Sequence, residues 1–337
     1  MNAFKTSLIT GSIACLIYTN ACKPKPSTPP LPDTDTQSSV DATFALRCVT
    51  DIDMICAYVA EGNYGTSDAT RFFEPNPDNV DNGITGIYAP IRHDDNFIVG
   101  YNKTSCYDGH MREGTITLDY NNPVQGTWYY RNYKFKGKLT LSEYKIDGWK
   151  IATTNGVPCS ITNLLQNPAF SPQGTKLSWL IDGSFDFIHP SDPSKNFTWK
   201  GKITKTLLNT SDPLVYPVSG MLKINWNKAQ LSYEGEASAT DASGKSYKIE
   251  LSSSNPLVRD FTCSPDQVGG LQPDPIRRVW RPESHPFVRG IAFLTPENAS
   301  IRQVFYGNEG DPSLEFQCDN SGQVAIRGIN YKVDFEK

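Results

Sequence analysis

The chain has 337 residues and carries 32 Lys and Arg against 36 Asp and Glu, a net charge of −4. An isoelectric point near 5.6 excludes the basic face that nucleic-acid binding needs, and a mean hydropathy of −0.44 excludes a bundle of membrane helices. Aromatic residues at 11% exclude general disorder, and 25 Gly with 24 Pro point to a turn-rich chain built from strands. The length suits one large domain or two ordinary ones.

Residues 1–21 read as a signal peptide: Lys5 closes a short n-region, and Leu8, Ile9, Ile13, Leu16 and Ile17 form an apolar stretch too short for a bilayer span. The stretch ends Thr19-Asn20-Ala21-Cys22, which resembles the lipobox of bacterial lipoproteins, so Cys22 is the expected lipidation site. Ser12-Ile13-Ala14-Cys15 offers a second box behind a shorter apolar run, and an ordinary cleaved signal is the alternative to both. Residues 22–39 then form the lipidated Cys and a tether, because five Pro among Ser, Thr and Asp cannot build a core. Two acyl chains on one Cys are what stable membrane anchoring requires.

Residues 40–58 are the expected helix, with Phe44, Cys48, Ile52, Ile55, Cys56 and Val59 at three- and four-residue spacings and Gly62 as its stop. Six Cys remain once Cys15 and Cys22 are set aside, and an even number in an exported protein suggests disulfides. Cys263 with Cys318 is the expected pair, tying the strand before a Pro-rich insertion to the terminal hairpin, and Cys106 with Cys159 is the second. Cys48 and Cys56 are excluded from pairing, since eight residues of helix place their Cα atoms about 12 Å apart, beyond the ~7 Å limit.

From about residue 84 onward, alternation of period two takes over. Ile116 and Leu118, Leu139 and Leu141, Leu177 to Phe187, Phe197 to Ile203, Leu222 to Trp226, Tyr247 to Leu251 and Ile329 to Phe335 each place apolar residues on one face. Asp108-Gly109, Asp147-Gly148, Asn155-Gly156, Ser219-Gly220, Ser243-Gly244 and Ser321-Gly322 are hairpin-type dipeptides. The expected fold is therefore mainly β: an antiparallel meander over residues 40–337, forming a sandwich or a curled sheet, with one short N-terminal helix. A loop at residues 264–286 is the place where it could split.

Several of these stretches carry a resemblance. The run from Cys106 through Tyr107-Asp108-Gly109-His110-Met111-Arg112-Glu113-Gly114 is one of them. The others are Tyr133 to Gly148, Leu177 to Gly201, the pair around Gly220 and Trp226, and Cys263 with Cys318-Asp319-Asn320. Together they are similar to a group of β-rich envelope lipoproteins of Bacteroidetes type. The resemblance implies an envelope location and a β-rich fold, and it carries no catalytic assignment.

The chemical motifs mostly fail. Gly-x-Ser-x-Gly, His-Glu-x-x-His, Walker A and GxGxxG are absent from the sequence. Ser142 to Lys145 matches Ser-x-x-Lys by letters but falls in an alternating strand. Residues 78–83 form half a calcium loop, with Ala89 where the closing carboxylate belongs. No Cys or His cluster has metal-ligand spacing, so no metal and no cofactor are expected. His110 beside Asp108 reads as a turn, and Asp182, Asp186 and Asp192 near Trp179 and Trp199 read as solvated carboxylates. Trp128, Tyr130 and Arg131 form the candidate binding patch, since flat aromatics beside a guanidinium suit sugar or peptide contact. The expectation is a lipid-anchored protein of the outer membrane, periplasmic or surface-exposed, non-enzymatic, with a structural or interaction role and an envelope protein as partner. A glycan-binding or glycan-acting protein is the alternative.

Overall fold

The computed structural model describes residues 33–60, 73, 89–92, 96–106, 108–120, 130–165, 176–208, 229–261, 287–307 and 321–335. All but Asp33 belong to one compact unit that begins at Thr34.

One helix, α1 (Gln37–Ala60), opens the unit. The Asp35 carboxylate accepts the Gln37 amide at 2.9 Å, which satisfies one of the amide donors left over at a helix start. The helix begins three residues before the expected segment and ends two after it. The expected apolar stripe is real, but it is not the whole story: every residue from Ala42 to Ala60 is buried. Ala42, Leu46, Val49, Met54 and Ala57, which lie off that stripe, are as enclosed as Phe44 and Ile52. A helix covered on all sides needs an envelope rather than a floor.

The sheet supplies the envelope. Its strands are β1 (Ala89–Arg92), β2 (Asn96–Ser105), β3 (Met111–Asp119), β4 (Lys136–Ile146), β5 (Trp149–Thr153), β6 (Cys159–Asn163), β7 (Ser178–Ile188) and β8 (Phe197–Leu207). They continue with β9 (Gln230–Asp241), β10 (Ser246–Leu251), β11 (Leu257–Asp260), β12 (Gly290–Pro296), β13 (Arg302–Tyr306), β14 (Ser321–Ile326) and β15 (Ile329–Asp334). All are joined in one antiparallel sheet in chain order, with two refinements. β5 and β6 share the space between β4 and β7, and β11 pairs with the first half of β9 where β10 pairs with the second. Side chains of α1 reach β3, β5, β7, β8, β11 and β13, so the sheet curls round the helix.

The alternation read from the sequence explains which face turns inward. Trp179, Ile181, Phe185 and Phe187 of β7 and Phe197, Trp199 and Ile203 of β8 are buried, while Lys200 and Lys202 face out. Phe187 and Phe197 stack at 4.6 Å, and Phe44 of α1 lies 5.0 Å from Trp149 and 5.9 Å from Phe187. Each buried ring removes on the order of 200 Å² from water, about 5 kcal/mol before the entropy of ordering is set against it.

The turns are mostly where the dipeptides placed them. Asp147 and Gly148 both have positive φ (50° and 85°) between the paired residues Ile146 and Trp149, the type I′ geometry that suits hairpin twist. Ser321-Gly322 is a correction. These residues lie inside β14, paired with Asp334 and Val333, and the reversal falls at Arg327-Gly328 with φ of 54° and 80°. Ser219-Gly220, the 222–226 strand and the 264–286 loop lie outside the described residues.

Candidate functional site

Among the described residues, several charged groups are buried inside the sheet, against α1. Asp51 and Asp53 are each 1% exposed. Two residues apart on a helix, they point about 200° apart round its axis, so each meets a different part of the wall.

Asp51 meets two guanidinium groups. Arg259 of β11 donates to one oxygen at 2.5 Å, and Arg112 of β3 donates to the other at 3.3 Å. Arg112 also forks onto Asp108 at 2.8 and 2.6 Å, and Arg259 reaches the Thr50 hydroxyl at 3.1 Å. Two cations face two carboxylates, so the centre is charge-balanced. Burial pushes the Asp51 carboxyl up, yet Arg259 and Arg112 outweigh it and hold the group below the ordinary carboxylate range. Both guanidiniums also lie against rings, Arg112 5.1 Å from Phe73 and Arg259 4.6 Å from Phe261.

Asp53 meets Lys205 of β8 and Tyr130. The ammonium donates to one carboxylate oxygen, the phenol donates to the other, and the ammonium donates to the phenol oxygen at 2.8 Å. Lys205 sits 4.4 Å from the Tyr130 ring centre and 4.9 Å from that of Trp179. Burial pulls the ammonium below its ordinary value against the Asp53 charge, and burial with Asp53 pushes the phenol well up.

A third cluster lies where the β2–β3 and β4–β5 turns meet the helix. His110 Nδ1 and Asp147 Oδ2 are 2.7 Å apart, and Arg47 Nη2 approaches that same oxygen at 3.9 Å. Asp147 Oδ1 accepts the Met111 amide at 2.8 Å. Burial raises the Asp147 carboxyl, but His110, the Met111 amide and Arg47 bring it below its usual value.

Cys22, Trp128, Cys263 and Cys318 lie outside the described residues. Tyr130 and Arg131 are described and do not form an exposed patch. Tyr130 is fully buried and Arg131 is 6% exposed, because residues 130–134 form a turn rather than a strand and the phenol is drawn in by Asp53 and Lys205. The expected Cys106–Cys159 bridge is also corrected: Cys48, Cys56, Cys106 and Cys159 are free, buried thiols. Cys106 follows β2 and bonds back to the Thr104 carbonyl, and Cys159 folds over Gly183, where a Cβ would come within 2.6 Å of its sulfur. Burial pushes the Cys48, Cys106 and Cys159 thiols up to about 12 and Cys56 well above its ordinary value. Asp182 pairs with Lys202 at 3.1 Å on the outer face, and Asp186 accepts from Thr154 at 2.7 Å, as solvated carboxylates should. His110 bonds Asp147 by its ring and Asp108 only by its amide. Among the described residues no His, Cys, Asp and Glu group has metal-holding geometry, and no helix is long and apolar enough to cross a membrane.

Sequence reasoning missed Asp51, Asp53, Arg112, Lys205 and Arg259. A signal existed. Lys205 continues the inward parity of Trp199 and Ile203, and Arg259 that of Leu257. A charge at an inward strand position calls for a buried partner. Comparison with protein-family models, curated proteins and solved structures finds no match for this chain.

Proposed function

We propose that the protein is a lipid-anchored component of the bacterial envelope with a non-enzymatic structural or interaction role. The observation that carries this reading is the use made of its unusual charges. A catalyst needs groups of shifted pKa converging on a space that a substrate can enter. Here Asp51, Asp53, Arg112, Lys205, Arg259 and Tyr130 converge on one another in the core, and their task is to fasten α1 inside the sheet. What remains outward is a broad solvated sheet face, with Asp182, Lys202, Glu236 and Glu250 in one row across β7 to β10. Such a face suits contact with a partner.

The anchor reading rests on sequence: the apolar stretch, Cys22 and the Pro-rich tether. Cys22→Ala should shift the protein from the membrane to the soluble fraction and abolish labelling by a fatty-acid precursor. Retention of the Cys22 variant, with release on Cys15→Ala, would move the anchor to Cys15. Retention of both would remove the lipid from the proposal. The alternative, a glycan-binding or glycan-acting protein, would need contact groups other than Tyr130 and Arg131, which are buried.

A further inference from the structure

Lys145, Lys150 and Lys202 pair with Glu113, Glu143 and Asp182 at 3.1, 2.7 and 3.1 Å. Every side chain in those pairs is at least 32% exposed, so hydration keeps both ions charged. Lys205 and Asp53 differ, with side chains 0% and 2% exposed. The ammonium bonds one Asp53 oxygen and the Tyr130 phenol bonds the other. Around Nζ stand the Tyr130 and Trp179 rings at 4.4 and 4.9 Å and the Met54 sulfur at 4.0 Å. Arg112 and Arg259 are buried against Asp51, but a guanidinium keeps its proton and is no nucleophile. A desolvated lysine gives its proton up more readily, and burial pulls the Lys205 ammonium below its ordinary value.

We propose that Lys205 and Asp53 condense to an amide, a covalent bond from β8 to α1, with Tyr130 as the group that polarises the carboxyl. Lys205 passes one ammonium proton to Oδ2 of Asp53 along the hydrogen bond that joins them, so solvent supplies none. The amine lone pair then attacks Asp53 Cγ, one bond beyond the oxygen that Nζ already touches. Negative charge develops on Oδ1, where the Tyr130 phenol donates. Oδ2 leaves as water, with the proton it received and a second one from the nitrogen. One ammonium and one carboxylate become one amide and one water, and nothing is oxidised or reduced. Packing supplies proximity, since both groups are held before they react. Burial supplies direction, because a dry core disfavours two ions more than it disfavours an amide. The bond depends on this buried cluster alone and forms whether or not Cys22 carries a lipid. The ion pair is the form from which the bond grows.

The test is a tryptic map of the full chain by mass spectrometry. Trypsin cuts after Arg47 and Arg71, and after Lys202, Lys205 and Lys223, but an amide on Lys205 blocks cleavage there. The folded protein, then denatured and digested, should yield residues 48–71 joined to residues 203–223. This branched peptide should be lighter than the sum of its arms by one water, and fragmentation should place the joint at Asp53 and Lys205. Succinimide formation at an Asp-Gly pair such as Asp182-Gly183 also loses water but leaves no branch. Tyr130→Phe, followed in time after a pulse of synthesis, should build the branch about a hundredfold more slowly, the effect of one lost oxyanion donor. Linear 48–71 together with complete cleavage after Lys205, in protein kept folded for days, overturns the bond. A branch that forms at the parent rate in folded Tyr130→Phe overturns the role of the phenol. Where that variant does not fold, the parent's map alone decides whether the bond exists.

Discussion

Lys205→Met tests the central claim that buried charges fasten the helix. Lys205 is fully buried and its ammonium bonds both Asp53 and Tyr130. Methionine keeps the length and apolar stem but leaves the Asp53 carboxylate, 1% exposed, with the phenol as its remaining partner among these groups. Breaking a buried pair from one side costs about 3–5 kcal/mol, because the surviving charge stays desolvated. At about 2–3 °C per kcal/mol for a chain of this size, the midpoint should fall by roughly 6–15 °C. The partner experiment is Asp53→Leu with Lys205→Met. The double variant removes both charges and, with them, the Tyr130 hydroxyl's bonds to Asp53 and Lys205, a cost of about 1–3 kcal/mol. The double variant should therefore be more stable than Lys205→Met alone, with a coupling energy of several kcal/mol in a urea-unfolding cycle. A Lys205→Met midpoint within about 1 °C of the parent, or strict additivity in the double variant, would refute the reasoning.

Three further outcomes follow from the same structure. Gly235→Ala should destabilise by more than about 2 kcal/mol, since φ is 131° and a Cβ would overlap the Lys202 carbonyl; Gly244→Ala, with φ 83° and open space, should cost about 1 kcal/mol, and equal losses in chemical denaturation would contradict the packing. Iodoacetamide at pH 8 should leave Cys48, Cys56, Cys106 and Cys159 unlabelled in the folded protein and label all four in guanidinium without reductant, because their thiols are buried and three are pushed up to about 12; peptides joined through Cys106 and Cys159 would restore the bridge. Asp147 is held below its ordinary 3.8, so its contribution to stability is full above that value and is lost as pH falls through the lower folded value. Asp147→Asn should flatten the acid limb of a stability–pH curve in that window, and an unchanged slope would count against the His110 contact.

Much of the sheet was legible because its physics is local. Trp179 to Phe187 and Phe197 to Ile203 alternate because one face of each strand is wet and the other dry, and that pattern survives in a single sequence. Asp147-Gly148 marks its own turn because positive φ at both residues selects such a pair. Arg327-Gly328 uses the same geometry with a first residue that propensity does not flag, which is why Ser321-Gly322 drew attention instead. The helix was legible in extent, and its enclosure was not. Spacing identifies one apolar stripe; whether a sheet also closes over Asp51 and Asp53 depends on strands that come much later in the chain.

The amino-acid sequence by itself determined the class of fold, the inward face of the long strands and the helix over residues 40–58. Tertiary structure alone decided which charges are buried and what neutralises them. Asp51 meets Arg112 from 61 residues away and Arg259 from 208, and Asp53 meets Lys205 from 152. Local propensity cannot encode such pairings, because they arise where a curled sheet returns its strands to one helix. Only there does the cost of burying an unpaired charge select a particular partner. The same closure took Tyr130 from an apparent surface patch into the core and kept Cys106 and Cys159 apart as buried thiols.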